Sequence, residues 1–193
     1  MFEIEIRGKL ENADFKRLTR LFEKDGKLIN HYHRLSVDIS PGFDPKTRSW
    51  PNEDQLDLRI KKSNEKEKIT VKIGDFNQKK REEIEIDLKE GHLLDTLRMF
   101  EVLGLDKGII YYWESWEYKY EGFEVKLTQH LKDHYNWEIE STGENLDPNI
   151  LAEKLNLTPF TREEYKKEID WQNFNLHQLY SLETAEKILK ENF

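Results

Sequence analysis

Glutamates stand two residues apart on alternating runs of this chain at Glu3 and Glu5, at Glu83 and Glu85, and at Glu138 and Glu140. In an extended strand that spacing puts both carboxylates of a pair on one face. Strands disfavour acidic residues, and two like charges on one face repel unless cations lie among them. Basic residues alternate in the same way along neighbouring extended runs: Arg7, Arg34, Arg59, Lys61, Lys72, Arg81 and Lys126. Two kinds of chemistry fit this pattern. Solvated strand faces could pair opposite charges across the sheet, each pair contributing at most ~1 kcal/mol. Alternatively, the strands close into a barrel with both signs of charge in its lumen. Paired carboxylates would then bind Mg²⁺ or Mn²⁺, and the Arg and Lys groups would bind the phosphates that the metal bridges. Alternation by itself favours the solvated reading.

The elements that must position these residues can be read from the apolar periodicity. Residues 2–10 alternate, with Phe2, Ile4 and Ile6 opposing Glu3, Glu5 and Arg7. Asn12 is a candidate N-cap for a helix with Phe15, Leu18, Leu21 and Phe22 on its apolar face, and Gly26 stops it. A strand over residues 29–40 precedes a loop with three prolines over 41–54, long enough to serve as a flap, in which Trp50 anchors the loop or closes over a ligand. Alternating strands are expected over residues 55–62, 68–76 and 81–88. An amphipathic helix follows through Leu93, Leu97 and Phe100 and ends at Gly104. Residues 108–131 suggest a hairpin turning near Glu121 and Gly122, and residues 136–141 repeat the opening pattern. From Asp147 onward the chain reads as helices, with Asp147-Pro148, a Thr161/Glu164 capping box and Ser181 as start signals. Strands outnumber strand–helix–strand opportunities, so an α+β fold with a mainly antiparallel sheet is expected.

The bulk properties narrow the function classes. The chain has 193 residues, which favours one domain, and its 12% aromatic content supplies large burial units despite 36% charged residues. A net charge of −8 disfavours a nucleic-acid surface, while leaving room for a local basic pocket. With no cysteine, disulfides and thiolate metal sites are excluded. The absence of a signal-peptide pattern and of a long apolar run leads to the expectation of a soluble, cytoplasmic protein without a membrane partner.

The order of the charged motifs resembles the CYTH superfamily, the triphosphate tunnel metalloenzymes that include class IV adenylyl cyclases and thiamine triphosphatases. The resemblance is carried by Glu3-x-Glu5-x-Arg7, Arg59-x-Lys61, the Thr70-Val71-Lys72 strand, Arg81-x-Glu83-x-Glu85 and Trp137-Glu138-Ile139-Glu140, over about residues 2–141. It implies a single domain with an eight-stranded antiparallel β-barrel or tunnel flanked by helices, its strands over about 2–141 and its C-terminal helices over about 147–193. It also implies divalent-metal-dependent hydrolysis of inorganic tripolyphosphate, a nucleoside triphosphate or thiamine triphosphate. The alternatives are a catalytically degenerate module that binds a phosphorylated or organic anion, and a class IV adenylyl cyclase. By the resemblance, Glu3, Glu5, Glu138 and Glu140 match metal-binding carboxylates, and Glu3, Glu5 and Arg7 form the catalytic set. Arg7, Arg34, Arg59, Lys61, Lys72, Arg81 and Lys126 would bind the triphosphate or other anion, with Glu83 and Glu85 in support. A homodimer is an expectation at the level of that family.

The chain departs from the pattern in three respects. The signature lysine is Arg7, which keeps the charge but cannot act as a neutral base. Tyr111 and Trp113 stand where the family carries a pair of cations, and Thr128 stands where it carries an aspartate. Two missing cations and one missing carboxylate should weaken triphosphate and metal binding by orders of magnitude, at ~1.5–3 kcal/mol for each charged hydrogen bond. The aromatic pair either fills space or stacks on a ring of a different ligand. His31 with His33, and His130 with His134, lack the acidic spacing of a helical zinc motif and read as surface or core residues. No P-loop, dinucleotide fingerprint or nucleophile elbow is present.

Overall fold

A computed structural model describes residues 5–50, 57–73, 82–141 and 146–193. Its elements in chain order are β1 (Glu5–Leu10), α1 (Asn12–Asp25), β2 (Lys27–Ile39), β3 (Asp57–Ser63), β4 (Lys66–Ile73), β5 (Glu82–Leu88), α2 (Leu93–Val102), β6 (Gly108–Tyr120), β7 (Phe123–His130), β8 (His134–Ser141), α3 (Pro148–Lys154), α4 (Arg162–Asn175), β9 (Gln178–Leu179) and α5 (Leu182–Asn192). The sheet runs β1-β8-β7-β6-β2-β3-β4-β5, with β9 pairing β6. Every register given for it is antiparallel. Among the described residues no helix is long and apolar enough to cross a membrane.

Local chemistry explains most boundaries. Glu121 and Gly122 both take positive φ, of 51° and 86°, at the tight turn between β6 and β7, as the hairpin reading required. The Asp147 carboxylate accepts from the Asn149 backbone N–H, and the Ser181 hydroxyl accepts from that of Thr184. The capping box holds as well: the Glu164 carboxylate accepts from Thr161 N–H at 2.8 Å, and the Thr161 hydroxyl accepts from Glu164 N–H at 3.2 Å. At α1 the reading was off by one residue. Glu11 occupies the N-cap position without a side-chain bond, and Asn12 is helical, donating its amide to Tyr135 Oη at 3.3 Å. His130 and His134 lie on no helix. They flank the short 3₁₀ turn Leu131–Asp133 and sit opposite each other across β7 and β8.

The chain divides into two compact units, residues 1–32 with 113–169, and residues 33–112 with 170–193. In the first, α1 and α3 pack on one side of β1, β7 and β8. Leu18, Phe22, Leu127, Trp137, Ile139 and Leu151 are fully buried there. In the second, α2 and α5 pack on β2 and β3 around Leu35, Val37, Ile60, Leu93, Leu97 and Ile188. Each unit thus spends one sheet face on an apolar core. Strand alternation then commits the opposite face to the charged residues.

Candidate functional site

In the first unit, register turns the sequence motifs into transverse rows. Glu5 lies opposite Glu140, and Glu140 opposite Glu124. One step along, Arg7 lies opposite Glu138, and Glu138 opposite Lys126. The first row is three carboxylates wide; the second places one carboxylate between two cations. Arg7 donates to the Glu5 carboxylate and stands 4.0 Å from that of Glu138, which is ion-paired with Lys126. Burial pushes the Glu5 carboxyl up, and the neighbouring charge of Glu138 pushes it further. Burial works against the charges of Arg7 and Lys126. Tyr165, Glu138 and Glu5 together outweigh it at Arg7, Glu138, Tyr32 and Glu5 together at Lys126, and both cations are held more firmly protonated. Glu5, Glu138 and Glu140 supply only oxygen donors, the kind a hard divalent cation takes, but their oxygens do not all come within 4.8 Å of one another.

Glu3, the remaining member of the opening pair, lies outside the described residues. Thr128, one of the positions singled out in the sequence, is neutral. The Thr128 hydroxyl lies 2.9 Å from that of Ser115, and both residues are buried. Trp113 has its ring 6.5 Å from that of His130, which in turn lies 5.7 Å from His134. Burial lowers the His130 pKa to about 4, with His134 adding to the shift.

In the second unit, cations and carboxylates interleave. Ser36 pairs with Lys61 and Lys61 with Lys68, while Asp38 pairs with Arg59, Arg59 with Thr70 and Thr70 with Glu85. Lys61 has Glu85 only at 3.9 Å, while Arg59 and Arg34 crowd it. Burial, then Arg59 and Arg34, bring the Lys61 pKa down to about 8. Glu85 accepts from Lys68 at 2.9 Å and from Thr70 at 3.2 Å, and Glu83 lies 3.3 Å from Lys72. The Arg34 Nε donates to the Ser63 hydroxyl at 2.7 Å. Arg81 lies outside the described residues.

Arg59 is more tightly engaged than the sequence suggested. It donates through Nε and Nη2 to both oxygens of Asp57, at 2.8 and 3.0 Å, and its Nε lies 3.6 Å from Asp38. Asp38 also accepts from the Ser36 hydroxyl at 2.7 Å and from Tyr111 at 2.9 Å. Tyr111 therefore serves a buried carboxylate, with the His177 ring stacked on it at 4.2 Å. Burial and the Asp38 charge push the Tyr111 phenol up, so it stays a neutral donor.

Sequence reasoning missed Asp38, Asp57, Tyr165 and Glu168 as partners of the site. Asp57 carried a signal, because Asp-x-Arg on a strand puts acid and guanidinium on one face. Tyr165 reaches Arg7 from 158 residues away, and local spacing gives no sign of it.

No protein-family model matches the chain, and no curated protein matches it in sequence. Solved structures do match in fold. A protein of Pyrococcus horikoshii superposes with a TM-score of 0.57 at 20% identity, over 84% of this chain and 93% of that one. A conserved hypothetical protein of Pyrococcus furiosus gives 0.56 at 20% identity, over the same shares of 84% and 93%. A candidate adenylate cyclase from Bacillus halodurans gives 0.52 at 18% identity, over 87% of this chain and 98% of its own. Together with the large antiparallel sheet and the rows of charge upon it, these likenesses establish that the chain has the CYTH-like fold.

Proposed function

We propose that this chain binds a triphosphate-containing small molecule together with Mg²⁺ or Mn²⁺ and hydrolyses a phosphoanhydride bond. The candidates are inorganic tripolyphosphate, a nucleoside triphosphate and thiamine triphosphate. The observation that carries the proposal is the setting of Lys61, whose ammonium has Glu85 no nearer than 3.9 Å and Arg59 and Arg34 beside it; burial first, then those two cations, bring its pKa down to about 8. A bound anion would favour the charged form of such a lysine against both causes.

On this reading Arg34, Lys61 and Lys72 neutralise phosphate oxygens, while Glu83 and Glu85 orient the lysines beside them. Glu5, Glu138 and Glu140, with Glu3 preceding them, would hold the divalent cation, which when bound polarises a phosphoryl oxygen. A carboxylate of that set positions water in line with the bond to be broken and takes its proton. The water oxygen joins the terminal phosphorus, the anhydride P–O bond breaks, and the leaving phosphate keeps the bridging oxygen. Arg7 contributes charge and orientation rather than proton transfer.

A second reading, an anion-binding module without turnover, is favoured by one arrangement. Arg59 spends its fork on Asp57, and Tyr111 stands as a hydroxyl donor where the family has a cation. Incubation with tripolyphosphate, ATP and thiamine triphosphate, each with Mg²⁺ or Mn²⁺, separates the readings. Metal-dependent phosphate release supports hydrolysis. Pyrophosphate with cyclic AMP identifies a cyclase. Ligand-induced thermal stabilisation without product identifies the binding module.

A further inference from the structure

Helix α4 is assembled the wrong way round for a helix held by a hydrophobic face. Its buried residues are Gln172 and Asn173, while Trp171 and Phe174 are 43% and 53% exposed. Its N-terminal half belongs to the first unit and meets that unit's charged residues through polar groups. The Tyr165 hydroxyl accepts from Arg7 Nη1 at 2.5 Å, and the Arg7 guanidinium lies 4.7 Å from the centre of the Tyr165 ring. Three residues on, Glu168 Oε1 lies 2.6 Å from His134 Nε2, with both side chains largely buried. Ahead of the helix, Phe160 N–H donates to the Arg7 carbonyl at 2.8 Å. A phenolic oxygen and a carboxylate from one helix thus rest on an arginine and a histidine, as oxygens of an anion would.

We infer that residues 158–169 form a displaceable strap, in which the Tyr165 oxygen occupies the place at Arg7 that a phosphate oxygen takes when a triphosphate binds. The inference rests on the reading of Arg7 as an anion-binding residue. The strap competes with the ligand, so loosening it strengthens binding. Its recorded hydrogen bonds and ion pair to β1 and β8 run through Tyr165, Glu168 and the Phe160 N–H. A merely structural Tyr165 that positions Arg7 for the ligand gives the opposite sign.

Tripolyphosphate is titrated calorimetrically, in Mn²⁺, into the wild-type chain, Tyr165→Phe and Glu168→Gln, with hydrogen exchange followed over residues 158–169. Tyr165→Phe keeps the ring against Arg7 and should bind about tenfold tighter. Glu168→Gln should also bind tighter, and it reports on the strap even if Tyr165→Phe fails to fold. Bound tripolyphosphate should speed exchange across the strap in the wild-type chain. Equal or weaker binding by the folded variants, or unchanged strap protection on binding, overturns the strap and leaves the proposed function standing. No binding by the wild-type chain or either variant overturns both.

Discussion

Arg59 and Asp57 form a two-pronged ion pair within one strand, with Nε and Nη2 donating to Oδ1 and Oδ2 at 2.8 and 3.0 Å. The pair is a local sink for the positive charge that a triphosphate would use. Asp57 is buried, and Asp38 adds a second carboxylate 3.6 Å from the same guanidinium. Asp38 is itself pushed up by burial, which the charge of Arg59 opposes. The guanidinium therefore keeps one acidic neighbour if the other is removed.

Asp57→Asn should release the fork toward solvent and bound anions. Anion affinity should rise severalfold, since one charged competitor is gone. Stability should fall by ~1–3 kcal/mol, because a charged hydrogen-bonded pair loses a partner while Asp38 remains. Calorimetric titration with tripolyphosphate and urea unfolding measure the two effects separately. Lower affinity in a stably folded variant would mean that Asp57 orients Arg59 for the ligand.

Lys61 gives a pH dependence with a defined sign. Its pKa is lowered from 10.5 to about 8 by burial, Arg59 and Arg34, so its charge is lost as pH rises through about 8. Between about 8 and 10.5 the unfolded chain binds more protons at this position than the folded one, and the Lys61 contribution to stability rises with pH there. Anion binding moves the other way. A bound phosphate favours the ammonium, so binding at pH 9 should draw a proton from solution. Titration at pH 9 in two buffers of different ionisation enthalpy should show that uptake, and Lys61→Gln should abolish it.

The strands and the charges upon them were legible because period-2 alternation is a local signal, and register then follows from the apolar face. Glu138 opposite Arg7, and Glu85 opposite Thr70, are consequences of that alternation. What was not legible is how each charge is spent. Lys61 and Arg59 look equivalent in sequence, yet one is crowded by cations and the other is locked to Asp57. The start of α4 was readable from Thr161 and Glu164, but its polar docking was not. That helix contacts Arg7 and His134 through residues whose positions follow from tertiary packing rather than local preference.

Glu138 lies between two cations, Arg7 and Lys126, and its loss separates metal binding from charge pairing. Glu138→Gln leaves Lys126 without its close ion pair and removes the charge that raises Glu5. If the carboxylates hold a divalent cation, Mn²⁺-dependent thermal stabilisation should disappear in this variant. Glu124→Gln, with its Lys119 partner 3.9 Å away, should retain most of it. Thermal unfolding with and without Mn²⁺ makes the comparison, and equal stabilisation of the wild-type chain and Glu138→Gln would remove Glu138 from the metal set.

Gly8 controls whether the segment before α4 can lie against β1. A Cβ at that position would stand 2.6 Å from the Thr158 carbonyl oxygen and 2.6 Å from Trp137 Nε1. Neither neighbour yields easily, since one is backbone and the other belongs to a fully buried ring. Trp137 Nε1 also has no hydrogen-bond partner among the described residues, so the ring gains nothing by turning toward Gly8. Gly8→Ala should push Thr158 outward and break the bond from Phe160 N–H to the Arg7 carbonyl. The expected cost is ~1–3 kcal/mol, seen as a fall in Tm of about 5 °C. Exchange should quicken over residues 158–169 while β3 and β4, in the other unit, keep their protection. A uniform rise in exchange across both units would instead mean that Gly8 serves the stability of the whole chain rather than the seat of α4.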